Sequence, residues 1–296
     1  MPDPLDLQTL RVILAVAECG SISAGSDRLG LAVAAASARI SALEAALGIR
    51  VFERSSRGVA LTPAGHLLVR RGGELLTDAE RLATDLRDWS RGLAGHVRML
   101  ANASALMQVL PQRLAQFMHG HPRIVVEVEE RMSPQIVGEL LEGRADVGVV
   151  DLPTPAQGLA YFPFFSDVLA LVVPRGHPLA QRTELRLPDL LDENFIVLAG
   201  ANAVSTRLFN AAAALGQVPK VRLQMRSFDA ACRMVAAGLG VTVLPRAAIE
   251  PQLAHLPLQA VAIADDWARR THHLALRTGP QAPAAARTLV DALREP

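Results

Sequence analysis

Polar side chains that could bind a small molecule recur through the last two thirds of the chain. Asn102 and Ser104 follow a strand-like segment and begin a helical one, where free backbone N–H groups and short polar side chains suit a carboxylate or phosphate. Arg131, after the next strand-like segment, would pair with an anionic ligand or lie on the surface. The further candidates are Ser133, Asp151, Asn202, Ser205, Ser227 and Phe228. Each serine or asparagine could instead be a plain helix N-cap.

Motifs for catalysis are missing from the sequence. It contains no G-x-S-x-G, no P-loop, and no G-x-G-x-x-G after a strand. The two cysteines, Cys19 and Cys232, are far apart in sequence, which is typical of a reducing compartment and indicates no disulfide or metal site. We therefore expect no catalytic residue, no metal ion and no cofactor.

A second group of candidate residues lies near the N-terminus and could contact DNA. Residues 21–57 predict a short helix, a tight turn at Gly30, a longer helix and a two-stranded wing with arginines near its tip. This is the outline of a winged helix-turn-helix, which places its longer helix in a DNA major groove. One apolar stripe at helical spacing predicts the buried face of that helix. Its members are Val33, Ala36, Ile40, Leu43 and Leu47.

The opposite face of the longer helix would meet the bases. It consists of Leu31, Ala34, Ala35, Ala38, Ala42 and Ala45. Bidentate base recognition needs Arg, Asn or Gln, and the centre of this face has none. We expect the choice of DNA sequence to depend less on polar contacts with the bases and more on DNA shape, thymine methyl contacts and the wing. The expected DNA contacts are Ser23, Val33, Ala34, Ser37, Ala38, Arg39, Ser41, Arg54 and Arg57.

Composition limits the class of protein. A chain of 296 residues with 50% hydrophobic residues can form two domains with sizeable cores. The net charge is +1, and residues 1–65 hold six arginines against six acids, so overall charge gives no support to DNA binding. The sequence has no apolar run of transmembrane length and no signal-peptide pattern at its start. We expect a cytoplasmic protein without a membrane partner.

The segment 62–91 predicts a long helix that pairs two copies of the chain. Leu68, Leu75, Leu82 and Trp89 recur every seven residues, which is the spacing of a coiled-coil seam. The alternative, a helix packed on its own domain, would need a wider apolar stripe. Two-fold pairing would present two reading helices to two half-sites.

The segment beyond residue 92 alternates between strand and helix patterns, which indicates a mostly parallel α/β sheet. Residues 92–95 are expected to form a hinge before it. The predicted strands are 97–101, 124–128, 146–150, 168–173, 195–198, 221–225, 241–244 and 273–277. The predicted helices are 105–118, 133–142, 204–214, 228–237 and 283–294.

Several blocks in a fixed order resemble the LysR-type transcriptional regulators, over nearly the whole chain. In the N-terminal part they are Leu43-Glu44-x-x-Leu47-Gly48, Val51-Phe52-Glu53-Arg54 and Leu61-Thr62-x-Ala64-Gly65. Further along they are Gly143-x-x-Asp146-x-Gly148-Val149, Pro174-x-x-His177-Pro178-Leu179 and Val235-x-x-Gly238-x-Gly240-Val241-x-x-Leu244-Pro245. The chain departs from many members by having Ala38 where they carry an arginine.

The resemblance implies an all-α winged helix-turn-helix at 1–61, a linker helix at 62–91 and an effector-binding domain at 92–296. That domain would have the two-lobed α/β fold of periplasmic binding proteins, with lobe I at 95–162 and 267–296 and lobe II at 163–266. A small-molecule effector, for example an organic acid, would bind between the lobes, where Ser104 is a position that family effectors often contact.

The expected function is therefore effector-controlled transcription regulation by a homodimer or homotetramer on double-stranded promoter or operator DNA. A changed angle between lobes or protomers would alter DNA bending and contact with RNA polymerase. The alternative is a small-molecule-binding interaction protein with a weakened DNA reader. A gel shift on the promoter upstream of its own gene would separate the two.

Overall fold

A computed structural model describes residues 5–55, 58–90, 95–151, 156–200, 202–278 and 282–294. The chain forms two compact units, Met1–Arg91 and Gly92–Pro296. Residues 92–94 of the expected hinge lie outside the described residues, as do Arg57 and the side chains of Arg54 and Trp89.

The first unit contains three helices, a two-stranded wing and one long helix. They are α1 (Leu7–Cys19), α2 (Ile22–Arg28), α3 (Val33–Leu47), β1 (Phe52–Ser55), β2 (Gly58–Leu61) and α4 (Pro63–Ser90). Two short side chains begin the first two helices: Asp6 accepts a hydrogen bond from the Thr9 N–H at 2.6 Å, and Ser21 accepts one from Ala24. Gly30 adopts a left-handed conformation (φ 65°) in the turn before α3.

The core of the first unit lies where α1, α3 and the start of the wing meet. Ile13 and Val16 from α1 pack there against Ile40 and Leu43 from α3. The predicted stripe of α3 is wrong at its two ends, because Val33 and Leu47 are exposed. Leu31 also differs from expectation, since it packs against this core. Residues at the first and last turns extend past the small contact area of α1, so periodicity overestimates their burial.

The wing is attached to α3 and α4 by two polar side chains. The buried Glu44 accepts hydrogen bonds from the N–H groups of Val51, at 2.7 Å, and Phe52, at 3.3 Å. Thr62 caps α4 by accepting a hydrogen bond from the Gly65 N–H at 3.0 Å, and its hydroxyl lies 2.6 Å from the Arg50 carbonyl oxygen. A Cβ at Gly65 would collide with the Val51 carbonyl oxygen, so glycine allows this close approach.

The long helix α4 leaves leucines of the expected seam uncovered within one chain. Leu68 packs against the core of the first unit and Leu76 is buried. Leu75 is 53% exposed, Leu82 60% and Leu86 59%. A second apolar surface would be needed to cover these side chains.

The second unit has ten strands and eight helices among its described residues. The strands are β3 (Gly95–Ala101), β4 (Ile124–Glu130), β5 (Val147–Val150), β6 (Leu159–Pro174), β7 (Glu184–Leu185), β8 (Asn194–Leu198), β9 (Lys220–Met225), β10 (Thr242–Pro245), β11 (Leu258–Ile263) and β12 (Arg269–Arg277). The helices are α5 (Ala103–Gln108), α6 (Leu110–Gly120), α7 (Ser133–Leu141), α8 (Leu187–Leu190), α9 (Ala203–Ala214), α10 (Phe228–Ala236), α11 (Glu250–His255) and α12 (Ala284–Arg294).

The main sheet is mixed, which corrects the expectation of a mostly parallel one. Its strand order is β4-β3-β5-β12-β6-β11-β7, and β10 also pairs with β6. β3 pairs in parallel with β4 and β5, whereas β12 is antiparallel to both β5 and β6. The antiparallel strand returns from the end of the chain, and no local pattern signals its direction.

Two further differences from expectation can be traced to strand pairing and to a proline. β6 is 16 residues long and begins at Leu159, because its first half pairs with β12, which itself begins at Arg269. The single helix expected at 105–118 is two helices, α5 and α6, that meet at Val109. Pro111 stands in the first turn of α6, where its missing N–H is tolerated, but it could not continue α5.

Two large hydrophobic cores among the described residues divide this unit into two lobes, and a smaller core around Ile136 and Leu140 also belongs to the first lobe. The first core joins β3, α6 and α12 around Val97, Phe117 and Leu289. The second core joins the end of β6 to β8, α9 and α10 around Leu171, Phe195 and Cys232. Because β6 and β12 continue between the lobes, the ends of several elements meet beside these strands.

Candidate effector cavity and DNA-contact surface

A cavity of about 450 Å³ opens in the second unit where β3 and β4 end and α5, α7, α9 and α10 begin. It lies where the ligand sites of α/β folds generally form. Six of the nine expected residues line it: Asn102, Ser104, Arg131, Ser133, Asn202 and Phe228. Seven further residues line it and were not among those expected: Ala103, Glu130, Met132, Gln135, Ala203, Val204 and Arg270.

The first wall of the cavity is formed by Asn102 and Ser104. Asn102 caps α5 by accepting a hydrogen bond from Ala105, and its amide nitrogen lies 3.2 Å from Nδ1 of the buried His272. The Ser104 hydroxyl accepts a hydrogen bond of 2.9 Å from the Arg270 guanidinium. The side chain of Asn102 is therefore occupied inside the protein, while Ser104 retains its hydroxyl proton for a ligand.

The second wall begins at α7, where Ser133 is tied to Asp151. The Ser133 hydroxyl accepts a hydrogen bond of 3.0 Å from the backbone N–H of Asp151. Asp151 itself does not line the cavity among the described residues, contrary to expectation. Its buried carboxylate pairs with Arg207 at 2.8 Å and with Arg270 at 3.4 Å, so the position serves internal ion pairs.

Two other residues expected to contact the effector instead form hydrogen bonds within the protein. Ser205 is buried, and its hydroxyl exchanges hydrogen bonds with the N–H and the carbonyl of Leu198. Ser227 caps α10 by accepting a hydrogen bond from Ala230 at 3.1 Å and lies outside the described cavity lining. Asn202 combines both roles, since it lines the cavity and caps α9 through the Val204 N–H. The N-cap alternative thus accounts fully for Ser227 and in part for Asn202, whereas Ser205 is not a cap and bonds to the backbone of Leu198.

Arg131 reaches the cavity but already has partners. Its guanidinium pairs with Glu129 at 2.5 Å and donates to the Glu130 carbonyl at 3.0 Å. An anionic ligand would have to compete with Glu129 for this arginine.

Behind the cavity, Arg270 is the centre of a buried polar cluster. Its guanidinium donates to Asp167 through both Nε, at 2.7 Å, and Nη2. Gln108 and His272 also contact the Asp167 carboxylate, at 3.0 and 3.3 Å. Burial opposes ionisation of Asp167, but the contact with His272 and the hydrogen bonds from Arg270 outweigh it and hold the pKa of this carboxyl well below its usual range. Asp167 therefore remains an anion that fixes Arg270 beneath the cavity.

The residues expected to contact DNA differ in their exposure and in the partners they already have. Ser23, Val33, Ala34, Ala38 and Ser41 are exposed, and Ser37 is half-buried. Arg39 has a partner within its own unit, since it pairs with the α1 cap residue Asp6 at 3.2 Å. The backbone of Arg54 lies in β1, and Arg57 lies outside the described residues. The exposed surface of α3 is therefore made mostly of alanine, as its sequence predicted.

These features together define a DNA-binding regulator: a winged helix-turn-helix, a long helix and a two-lobed domain with a small-molecule cavity. The family model for bacterial regulatory helix-turn-helix proteins of the lysR family matches residues 7–66. The model for the LysR substrate binding domain matches residues 90–296. The chain belongs to the LysR-type transcriptional regulators.

Curated relatives are regulators as well. A probable RuBisCO transcriptional regulator of Synechocystis sp. is 26% identical over 84% of this chain and 74% of its own length. A probable hydrogen peroxide-inducible genes activator of Streptomyces viridosporus is 28% identical over 98% and 93%. The solved structure of CbnR, a LysR family transcriptional regulator, has a TM-score of 0.68 at 21% identity and covers 98% of both chains. Full-length BenM has a TM-score of 0.60 at 26% identity and covers 98% of this chain and 96% of its own.

A test by length and apolar composition finds no single described helix able to cross a membrane. α2 and α3 pass that test only as a pair and are bent by 111° at their turn.

Proposed function

We propose that a small molecule bound in the cavity controls how this regulator acts on a promoter. The observation that carries the proposal is a chain of buried contacts that runs from the cavity to ion pairs between the two lobes. Ser104 contacts Arg270, and Ser133 contacts Asp151. Arg270 and Asp151 also pair with each other.

The Asp151–Arg207 ion pair joins the two lobes. Asp151 follows β5 in the first lobe, and Arg207 lies on α9, whose first turn packs in the second core. A ligand that contacts Ser133 or Asn202 would shift the elements that hold this ion pair. Because the pair is largely buried, its energy depends strongly on geometry. Ligand binding would thereby favour one arrangement of the lobes over another.

On the DNA side, we propose that α3 enters the major groove with Ala34, Ala38 and Ala42 toward the bases. Ser23, Val33, Ser37 and Ser41 would border this contact, and Arg54 and Arg57 would reach phosphate or the minor groove. Arg39 would contribute only if DNA phosphate replaced Asp6 as its partner. A solved structure of CbnR contains its target DNA, and its TM-score to this chain is 0.67.

Homo-oligomers would form through the exposed leucines of α4, with the linker helix at 62–91 as their interface. We expect Leu82→Glu to weaken self-association, because a charge would enter an apolar seam. Sedimentation of the full chain measures this. Glu80→Gln, on the same helix, is the matched control. If Leu82→Glu sediments as the unaltered protein does, the α4 interface is wrong.

The ligand response would not involve a cysteine. Burial raises the pKa of the Cys232 thiol to about 11, and Cys19 belongs to the first unit. A buried thiol with a raised pKa reacts slowly, because the thiolate is the nucleophile. Although some relatives are described as hydrogen peroxide-inducible activators, we propose reversible ligand binding without a catalytic step, in the cytoplasm, with RNA polymerase as a further partner.

The experiment is a gel shift and in-vitro transcription with the promoter upstream of the chain's own gene. We expect the full chain to bind this DNA, and a ligand identified by thermal shift to change occupancy, bending or transcript level. Binding of that ligand with all three unchanged would contradict the proposal. Failure of Ala38→Gln to alter DNA binding would show that α3 does not lie in the groove.

A further inference from the structure

We propose that the cavity binds an amino-carboxylate, a compact molecule with one carboxylate, one ammonium group and an apolar side chain. The inference rests on the proposed function, because it names the class of effector for the same cavity. It narrows the organic acid named as an example in the sequence analysis to one that also carries an ammonium group. The reasons are the direction of the hydrogen bonds in the cavity lining and the balance of charge around it.

Two buried hydroxyl groups in the lining are set as donors. Ser104 and Ser133 are each 4% exposed. Their oxygens accept hydrogen bonds from Arg270 and from the Asp151 N–H. None of the described residues accepts a hydrogen bond from either hydroxyl proton. A ligand oxygen would satisfy both protons, and a carboxylate offers enough lone pairs to do so.

Two amide side chains of the lining are also oriented as hydrogen-bond donors toward a ligand. The oxygen of Gln135 accepts a hydrogen bond from the Met132 N–H at 3.2 Å, and that of Asn202 accepts one from Val204 at 3.0 Å. Because the backbone donors fix the orientation of both amides, their NH₂ groups are the ends left for a ligand. Hydroxyls and amides together form a lining rich in neutral donors.

The charges around the cavity disfavour a ligand with two negative groups. Arg131 pairs with Glu129, and Arg270 pairs with Asp167 and Asp151. Within the described structure, the carboxylate of Glu130 has neither an ion pair nor a hydrogen bond, and this residue lines the cavity. The undescribed residues 152–155 and 201 add no charged side chain. Among the described residues that line the cavity, a second anionic group would meet Glu130 and no unpaired cation, whereas an ammonium group would be attracted there.

The positions of these groups fit a small zwitterion. Ala101 and Glu130 are register partners at the ends of the parallel strands β3 and β4. Paired strands are about 4.8 Å apart. Ser104 and Ser133 each follow three residues after this pair. The donors and Glu130 all line one cavity of about 450 Å³, so a single compact ligand that carries both groups can be proposed to reach them. Met132, Val204 and Phe228 provide apolar contacts for a side chain.

The test is isothermal titration calorimetry of the full chain with L-leucine, L-methionine and L-phenylalanine. Each is compared with its 2-hydroxy acid, which lacks the ammonium group, and its methyl ester, which lacks the carboxylate. We expect at least one amino acid to bind about tenfold or more tightly than both of its analogues, because each analogue leaves one set of polar groups unpaired.

Three variants assign the roles. Glu130→Gln should lower amino-acid affinity about tenfold while leaving the hydroxy acid unaffected, because only the ammonium loses a partner. Ser104→Ala should weaken both ligands, since both carry the carboxylate. Glu127→Gln lies on the same strand outside the described cavity lining and serves as the control. Thermal melting shows whether each variant is folded.

The class of ligand would be wrong if none of the three amino acids binds, if a hydroxy acid binds as tightly as its amino acid, or if Glu130→Gln leaves the preference unchanged. The proposed function would survive these results wherever another ligand alters promoter occupancy. It would fail if a ligand that binds the cavity left promoter occupancy, bending and transcript level all unchanged.

Discussion

The surface of α3 and the wall of the cavity are built in opposite ways. The outward face of α3 consists of exposed alanines, whose side chains hold nothing in place by hydrogen bonds. The polar groups of the cavity are held by backbone N–H groups, by Arg270 and by buried carboxylates. We therefore expect this chain to recognise DNA mainly through the shape of a rigid helix. It would recognise a small molecule through hydrogen-bond donors whose directions are fixed before binding.

The largest effect should follow from breaking the cluster behind the cavity. Asp167→Ala leaves Arg270 and His272 without their main anionic partner inside the protein. Loss of one partner of a buried ion pair costs about 3–5 kcal/mol of the free energy of unfolding. Urea denaturation measures it. Asp192→Ala, which removes an exposed partner of Lys220, should leave stability unchanged. Equal stability of the two variants would show that the cluster does not hold the cavity in place.

The next largest effect should follow from placing a charge on the exposed alanine face of α3. Ala38→Asp should reduce promoter affinity about tenfold or more, because a carboxylate would approach the phosphates, while stability remains the same at this exposed position. A gel shift at fixed salt measures affinity. Ala213→Asp, exposed on α9, is the control. Similar losses in both variants would point to general charge repulsion and would remove the distinction between the two regions.

Glu44 tests whether the first unit also depends on a buried carboxylate. Glu44→Gln replaces the acceptor for the Val51 and Phe52 N–H groups by a weaker one. We expect a loss of about 1–2 kcal/mol in unfolding free energy, smaller than for Asp167→Ala. Glu53→Gln, exposed on β1, should have no effect in the same denaturation experiment. A loss as large as that of Asp167→Ala would show that the first unit depends on a buried carboxylate as strongly as the cavity does.

The smallest effect is a dependence of stability on pH. Because the pKa of Asp167 is lower in the folded state than the ordinary carboxyl value of 3.8, the unfolded state binds more protons in acid. Its contribution is fully present above that ordinary value and is lost as the pH falls through the folded pKa. Denaturation below about pH 5 should therefore show a shallower pH slope in Asp167→Ala than in the unaltered chain. If the free energy of unfolding varies with pH equally in the variant and the unaltered chain, Asp167 does not cause the loss of stability in acid.

Local signals explain why the sequence predicted the first unit well. Ser21 as a cap, Gly30 as a turn and Thr62-Pro63 as a helix start are features of neighbouring residues, and the turn at Gly30 and the long helix in the segment 62–91 occur as expected. The errors at Val33 and Leu47 arose where periodicity could not show the limits of the neighbouring helix.

The cavity was only partly predictable for the opposite reason. Junctions between strands and helices identified Asn102, Ser104 and Ser133, because ligand sites gather there in α/β folds. Arg270 contacts Ser104 across 166 positions of sequence and Asp167 across 103. β12 pairs antiparallel between β5 and β6, and no local pattern showed that an arginine on it would lie beneath the cavity.

The most direct test of ligand-controlled regulation is a DNase I footprint of the full chain on the promoter upstream of its own gene. It should be recorded with and without a ligand identified by thermal shift. We expect two protected half-sites, spaced by about 10 base pairs or a multiple of it, and a change in protection or hypersensitive sites when the ligand saturates the cavity. An absent footprint, or a footprint and a transcript level that both stay unchanged at saturating ligand, would contradict the account.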